Sequence, residues 1–330
     1  MSEPATAPNR VAAVVYNPVK VDLDALREIV AREEQAAGWD TSVWFETSVD
    51  DPGQGATRDA LDAGADMILA AGGDGTVRAV AEAIGDSQTP LALLPSGTGN
   101  LLARNLELTL EDLDRSVHDA FTGTDRRVDV ATIEITRPDS TVARHSYVVM
   151  AGVGLDASML QNTDDDLKKK VGWLAYVGAA VTSLKGRNHV RLQMSVDGAE
   201  PESVKAHTVI VGNCGSLQAN VRLLPDAALD DGLLDVVVMR PENLVGWIQV
   251  LTKIVWENGV LSRTPFGRRF RTKDVRALEY VRGSTITVEL SEPEQIELDG
   301  DGFGEATAFT TWVDHEHLVV RVPMAGPSGR

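Results

Sequence analysis

The sequence predicts an N-terminal α/β domain with a parallel sheet, followed by an antiparallel β domain. The chain has 330 residues, which is long for a single domain. Over the first hundred residues, apolar strand-like runs alternate with helical patterns, as expected for a parallel sheet with flanking helices. After about residue 125, strand-like runs follow one another with turn signals between most of them. We therefore expect an α/β domain over residues 1–125 and a β domain over 126–304.

The α/β pattern contains four strand-and-helix pairs. The first strand, VAAVVY, is a continuous apolar run typical of a buried parallel strand. The helix after it has its apolar residues on one face, and Gly38 provides a natural C-terminal stop. Strands are predicted at 11–16, 41–47, 66–73 and 91–97, with helices at 22–37, 58–63, 77–84 and from 101–106 onward.

The second domain consists mostly of short apolar runs separated by turn signals such as RPDS and VDGAEPES. Two helical insertions are predicted at 166–184 and 242–257. The predicted strands are RRVDVATIEITR, HSYVVMAG, VRLQMSVDG, SVKAHTVIVGN, GLLDVVVMR, STITVEL, EQIELDG, AFTTWVD and LVVRVP.

Composition excludes several classes of function. The formal net charge of -18 argues against nucleic-acid binding, which needs a basic surface. A single cysteine, Cys214, excludes an intrachain disulfide and a cysteine-rich zinc site. The N-terminus lacks a signal-peptide pattern, and the longest apolar stretch, 171–184, is shorter than the roughly 20 residues that a membrane span needs. We expect a cytoplasmic protein that is at most peripheral at the inner membrane face.

Three loops at strand ends indicate a phosphate-bearing ligand. GGDGT (72–76) and LPSGTGN (94–100) each follow a strand and open a helix, and YNPVK (16–20) follows the first strand. At the carboxyl edge of a parallel sheet, glycines expose backbone N–H groups and a helix N-terminus attracts negative charge. Neither GxxxxGK[ST] nor GxGxxG is present. Taken alone, GGDGT is also consistent with an ordinary glycine turn.

Asp74, inside GGDGT, admits two interpretations. A carboxylate within a phosphate loop repels phosphate unless Mg²⁺ lies between them, so one interpretation is a combined metal and nucleotide arrangement. The other is an Asx-turn that caps the helix.

In their order along the chain, these loops and later motifs resemble a family of lipid kinases. GGDGT, SGTGN, AGVGLDA (151–157), LLPDAALDDGLLDVVVM (223–239) and IELDGDG (296–302) resemble the bacterial diacylglycerol kinases and sphingosine kinases, distant relatives of NAD kinases. The resemblance covers nearly the whole chain. It implies an NAD-kinase-like α/β domain, completed by a C-terminal strand at about 305–330, and a lipid-binding β-sandwich. It also implies transfer of the ATP γ-phosphoryl group to the hydroxyl of diacylglycerol or a related lipid.

The loops and the resemblance together indicate the site residues. Asp299 in the late LDG motif is the candidate general base, and Asp301 stands where the family usually has Glu, so either could take the proton. The family's structural Mg²⁺ site falls on the Asp231 carboxylate and the carbonyls of Ala228 and Leu233. The candidate ATP-site residues are Asn17, Lys20, Thr47, Gly72, Gly73, Asp74, Gly75, Thr76, Gly97, Thr98 and Asn100.

The sequence departs from the family pattern in two motifs. The first loop reads NPVKV where the family has NPxSG, and Leu101 follows SGTGN where many members have Asp. Both changes put the details of the ATP site in question. The altered first loop, together with Asp301 in place of Glu in the late motif, keeps open a catalytically weak nucleotide-binding regulator. Among enzymes, the alternative is a kinase of a soluble nucleotide such as NAD.

Two apolar segments and a basic cluster suit a lipid substrate and transient contact with a membrane surface. Residues 171–184 and 244–255 could line an acyl pocket or form buried core helices. The basic cluster could face anionic headgroups or be a solvated strand face. The sequence leaves open whether the protein forms a homodimer. His315 and His317 lie on one face of a predicted strand, but no further metal-binding residues lie near them in sequence. The named side chains are Trp173, Leu174, Tyr176, Val177, Val181 and Leu184 in the first segment, and Arg268, Arg269, Arg271, Lys273 and Arg276 in the cluster.

Overall fold

The structure, a computed structural model, describes residues 10–154, 189–217, 222–241 and 278–324. The predicted helical insertions at 166–184 and 242–257 and the basic cluster at 268–276 lie outside the described residues. The chain divides into two compact units. Unit 1 contains Met1–Val128 and Glu316–Arg330, and unit 2 contains Asp129–His315.

Unit 1 is built on a parallel sheet with the strand order β4-β3-β1-β2. The interior of the sheet is fully apolar, which is why β1 and β3 are continuous hydrophobic runs rather than alternating ones. The last strand of the chain, β14, adds to the sheet through Val320 beside Leu91. The strands are β1 (Val11–Tyr16), β2 (Asp40–Glu46), β3 (Met67–Gly72), β4 (Leu91–Pro95) and the C-terminal part of β14 (Asp301–Val322).

Five helices of the described chain belong to unit 1, and two of them begin at an aspartate cap. Asp22 caps α1 by accepting from the N–H of Ala25, and Asp112 caps α5 by accepting from the N–H of Arg115. The sequence analysis did not predict α5, whose apolar residues Val117, Ala120 and Phe121 pack into the core of unit 1. The helices are α1 (Leu23–Ala37), α2 (Gln54–Asp62), α3 (Asp74–Ile84), α4 (Leu101–Asn105) and α5 (Leu113–Thr122).

The core of unit 1 forms where α1 and α5 pack on the sheet. Leu26 and Val30 of α1 and Val117 and Phe121 of α5 are buried against the apolar strands. Phe121 also meets Trp39 edge-to-face, with ring centroids 5.4 Å apart. The loops at the carboxyl ends of the strands therefore start from a well-packed sheet.

Unit 2 is antiparallel. Its main path of paired strands runs β12-β11-β10-β7-β13-β14; β8 and β9 extend from β13, and β5 and β6 from β14. Inward-facing residues of these strands form one large core. The strands are β5 (Thr124–Thr136), β6 (Val142–Tyr147), β7 (Met150–Val153), β8 (Val190–Val196), β9 (Glu202–Ala206), β10 (Thr208–Gly212), β11 (Leu234–Met239), β12 (Leu278–Gly283), β13 (Thr285–Leu298) and β14.

The strand predictions differ from the structure in four places. SVKAHTVIVGN forms two strands, β9 and β10, and AFTTWVD and LVVRVP are parts of one strand, β14. HSYVVMAG forms two strands, because the N–H groups of Val148 and Val149 leave the ladder and point to the Asp299 carboxylate. STITVEL and EQIELDG form one long strand, β13, whose register with β14 shifts between Glu289 and Glu294. The strand thus continues through SEPE (291–294) with a local bulge.

Candidate functional site

The strand-end loops of unit 1 meet at one edge of its sheet through backbone hydrogen bonds. The N–H of Asn17, after β1, donates to the carbonyl of Ala71 at 2.9 Å, and the N–H of Ser96, after β4, donates to Gly72 at 3.0 Å. The N–H of Thr47, after β2, donates to the Tyr16 carbonyl at 2.9 Å. The structure therefore brings together the predicted loops YNPVK, GGDGT and LPSGTGN, with Thr47 beside them.

GGDGT forms the junction between β3 and the N-terminus of α3. Gly73 is the extended N-cap residue, and the helix begins at Asp74. The first N–H groups of a helix have no partner within it, so α3 directs its positive end toward this edge. Thr76 is buried, and a Cβ at Gly72 would lie 2.6 Å from its side chain. The Thr76 side chain thus packs against Gly72, and the Thr76 N–H lies in the first turn of α3.

The two glycine loops touch through their backbones. A Cβ at Gly97 would lie 2.7 Å from the Cα of Gly73, closer than real Cβ contacts come. Any larger residue at Gly97 would therefore push the loops apart. This close approach explains the need for glycine in the second loop independently of any ligand.

Asp74 joins the two loops by its side chain. One carboxylate oxygen accepts from the N–H of Leu101 at 2.5 Å and the other from the N–H of Asn100 at 2.9 Å, which caps α4. Burial raises the pKa of Asp74, and the N–H groups of Leu101 and Asn100 act in the opposite direction. Asp74 therefore caps α4, the helix that follows the neighbouring loop. Its expected role beside Mg²⁺ stays a prediction.

The remaining ATP-site candidates divide into loop-forming and exposed residues. Asn100 closes its own loop, because its side chain accepts from the N–H of Gly97 and donates to the Gly97 carbonyl. Asn17 likewise shapes the first loop by accepting from the N–H of Val19 at 3.1 Å. Lys20 and Thr98 are exposed at this edge and are the two candidates whose side chains face solvent.

In unit 2, the LDGD motif is a two-residue hairpin turn between β13 and β14. Asp299 and Gly300 both have positive φ, 51° and 90°, as a type I′ turn requires. The Asp299 side chain is buried, and its carboxylate accepts from the N–H groups of Val148, Val149 and Met150 at 2.9 Å each. Three backbone N–H donors thus converge on this one side chain. Asp299 therefore anchors the start of β7 to the hairpin.

Asp301, two residues later, has a different environment. It is exposed, and its charge lies close enough to Glu297 to affect the titration of that residue. Burial, and then the charge of Asp301, raise the pKa of Glu297. Glu297 pairs with Gly302 on one side and with Gly152 on the other, so no neighbouring side chain flanks it in the ladder. Sequence reasoning did not identify Glu297, because a glutamate in a strand carries no distinguishing signal.

The acidic turn, residues 226–235, tests whether the chain fits the family's structural Mg²⁺ ion. One Asp231 oxygen accepts from the N–H of Leu233 at 3.1 Å, and the other contacts the guanidinium of Arg282. A guanidinium at the proposed ligand repels a divalent ion there. The predicted site of Asp231, Ala228 and Leu233 therefore does not fit Mg²⁺ in this arrangement. In the parts of the chain that the structure describes, no cluster of three or more His, Cys, Asp or Glu side chains is arranged to hold a metal.

Asp129 is a second residue that sequence reasoning missed. It is buried, its carboxylate accepts from the N–H of Gly232 at 2.8 Å, and its other oxygen lies 2.9 Å from Nδ1 of His315. Its N–H also donates to the Leu229 carbonyl. Asp129 thus fixes the acidic turn from inside, and His315 is a partner of this carboxylate.

These two units define an NAD-kinase-like protein, with an α/β domain that presents glycine loops and an antiparallel β domain. Residues 12–133 match the diacylglycerol kinase catalytic domain, and residues 148–315 match the YegS C-terminal NAD kinase beta sandwich-like domain. The chain belongs to the family of diacylglycerol kinases and YegS-like lipid kinases. It is therefore a member of a kinase family, as the sequence motifs indicated.

Individual relatives agree with this assignment. A diacylglycerol kinase of Bacillus subtilis is 26% identical over 317 residues, covering 94% of this chain and 96% of the relative. A probable lipid kinase, YegS-like, of Pseudomonas aeruginosa is 30% identical, covering 82% and 80%. A crystal structure of a diacylglycerol kinase from Bacillus anthracis shares the fold with a TM-score of 0.68 at 20% identity, covering 95% and 96%.

Proposed function

We propose that the protein transfers the γ-phosphoryl group of ATP to the hydroxyl of diacylglycerol or a closely related lipid. The observation that carries this proposal is that the glycine loops are joined at the N-terminus of α3. It is supported by the family of the chain, whose relatives are named diacylglycerol kinases and lipid kinases. Phosphoryl transfer depends mainly on positioning and on charge neutralisation, and both can be supplied by backbone N–H groups and cations.

On the donor side, unit 1 binds the nucleotide. The loops after β1, β3 and β4 lie around the N-terminus of α3, whose positive end would face the phosphates. Lys20 adds a positive charge where the family pattern NPxSG has a serine. Mg²⁺ arriving with ATP would neutralise phosphate charge, and the residues of this chain position the nucleotide.

On the acceptor side, Asp301 takes the proton of the lipid hydroxyl. A hydroxyl is a poor nucleophile at neutral pH, and a carboxylate within hydrogen-bond reach makes it a better one. Asp301 is exposed to a substrate, whereas Asp299 is buried and its carboxylate already accepts three N–H groups. We therefore assign proton transfer to Asp301 and the support of the turn to Asp299.

A diacylglycerol lies in a bilayer, so the proposal includes transient contact with a membrane surface. No helix in the described ranges is long and apolar enough to cross a membrane. Contact at the surface would suffice, because the reacting hydroxyl of diacylglycerol lies at the headgroup level.

The second candidate is a kinase of a soluble nucleotide such as NAD. It is favoured by the fold, because a yeast NADH kinase structure has a TM-score of 0.50 to this chain at 10% identity. The whole-chain relatives described as diacylglycerol and lipid kinases favour the lipid.

A substrate panel distinguishes the candidates. The protein would be incubated with γ-labelled ATP and, separately, diacylglycerol in mixed micelles, sphingosine and NAD, with identification of each product. We expect labelled phosphatidic acid or a related lipid phosphate, and Asp301→Asn should suppress it. Phosphorylation of NAD alone would refute the lipid assignment, and no turnover despite ATP binding would support a nucleotide-binding regulator.

A further inference from the structure

The acidic turn carries several negative charges and one guanidinium. Asp231 and Asp235 both form ion pairs with Arg282, and the carbonyl of Asp226 accepts from the same side chain at 3.2 Å. The Asp235 side chain is only 7% exposed and that of Asp231 is 29% exposed. Carboxylates this close require a positive charge, because water does not fully screen them.

Strand register fixes the guanidinium in this position. Arg282 on β12 lies directly opposite Asp235 on β11, so the two side chains are on the same face of the sheet. The Arg282 Nε donates to Asp235 at 3.1 Å, while the Nη2 group reaches Asp231 and the Asp226 carbonyl. An arginine can contact several acceptors at once because its planar guanidinium carries several nitrogens in a fixed geometry. A lysine has one ammonium nitrogen and cannot reproduce these contacts.

The contacts at Asp231 are those that a bound cation would make. A carboxylate and a backbone carbonyl are hard oxygen ligands of the kind that Mg²⁺ and Ca²⁺ select. Here the Asp231 carboxylate and the Asp226 carbonyl converge on Arg282 instead. The second oxygen of Asp235 is buried and has no hydrogen-bond partner in the described parts of the chain.

We infer that Arg282 is the resident cation of the acidic turn and replaces a divalent metal ion there. The turn is therefore held by a charge that belongs to the chain, and its stability does not depend on metal. Removing the guanidinium leaves Asp231, Asp235 and the Asp226 carbonyl around a space that a divalent ion can enter. A charge-removing substitution at Arg282 should thus convert a metal-independent turn into a metal-dependent one.

Thermal unfolding of the full chain without nucleotide tests this inference, with EDTA in one arm and excess magnesium chloride in the other. The wild type should have the same Tm in both arms. Arg282→Gln should lose about 4 °C in EDTA and recover at least half of that loss with magnesium. Arg282→Lys keeps the positive charge but loses the planar guanidinium. Its Tm in EDTA should lie between those of the wild type and Arg282→Gln, and it should change little with magnesium.

A matched control is Arg240→Gln, which removes an arginine paired with one carboxylate, Glu279, at 2.8 Å. Its Tm should not respond to magnesium. The inference is overturned if the wild type loses stability in EDTA and regains it with magnesium, or if Arg282→Gln is not restored by magnesium. If Arg282→Gln does not fold, the wild-type arms and Arg282→Lys still decide the question.

Discussion

The glycine loops of unit 1 and the hairpin turn of unit 2 are each held by an aspartate that accepts backbone N–H groups, but they expose different groups to solvent. In unit 1, Asp74 accepts two N–H groups and joins the loops, whose edge presents mainly backbone and a helix N-terminus. In unit 2, Asp299 accepts three N–H groups and supports a turn whose next acid, Asp301, is exposed. An aspartate beside glycine in a sequence motif can therefore serve mainly to hold a loop or turn in place.

The largest effect on stability is expected at Asp299. Asp299→Asn replaces one carboxylate oxygen with an NH₂ group that faces N–H donors, which should cost about 3 kcal/mol in the free energy of unfolding. Chemical denaturation would measure it. The control is Asp139→Asn, because Asp139 also accepts from a turn, through Thr141, but is exposed. If Asp299→Asn were as stable as the wild type, the structural role assigned to Asp299 would be wrong.

A somewhat smaller effect is expected where the two glycine loops touch. Gly97→Ala places a methyl group 2.7 Å from the Cα of Gly73 and should cost about 2 kcal/mol as the loops separate. The reciprocal change, Gly73→Ala, meets Gly97 only at 3.7 Å and should cost less. Tm and ATP affinity should both fall more in Gly97→Ala than in Gly73→Ala. The reverse order would contradict the close backbone contact.

Asp74 should have a moderate effect on stability and a larger one on ATP binding. Asp74→Asn can retain only one of the two N–H bonds to Asn100 and Leu101, which should cost about 1 kcal/mol. ATP affinity should fall because the loops are no longer joined. Asp112→Asn is the control, since an N-cap that uses one oxygen tolerates the amide. If ATP binding were as strong as in the wild type, Asp74 would not organise the site.

The smallest effect is a pH dependence at Glu297. Its pKa is raised in the folded protein, so its contribution to stability falls as pH rises through the unfolded and then the folded pKa. Glu297→Gln should therefore be more stable than the wild type at about pH 7.5, and this gain should disappear at about pH 4. Denaturant unfolding at both pH values measures the difference. A gain that does not change with pH would exclude this explanation.

Local sequence signals predicted the fold because each acts over a few residues. The continuous apolar run of β1 and the glycine after α1 depend only on neighbouring residues, and both predictions agree with the structure. The short helix α5 was missed, and two predicted strands merged into β13, because tertiary packing and a bulge determine those elements.

The functional roles of acids were less predictable, because they depend on partners far away in the chain. The partners of Asp299 lie about 150 residues earlier, and Arg282 lies 51 residues after Asp231. No spacing in the sequence encodes these contacts, which arise from strand register. Asp129 and Glu297 were missed for the same reason, since each is an ordinary acid until its burial and neighbours are known.

The division of roles between Asp301 and Asp299 is tested most directly by measuring two quantities for Asp301→Asn and Asp299→Asn. These are kcat with diacylglycerol and ATP, and Tm. We predict that Asp301→Asn lowers kcat by about 10²- to 10⁴-fold and leaves Tm unchanged, and that Asp301→Glu retains activity. Asp299→Asn should lower Tm, while the molecules that remain folded keep most of their kcat. Unchanged turnover in Asp301→Asn, together with loss of turnover in folded Asp299→Asn, would contradict the assignment of chemistry to the exposed acid.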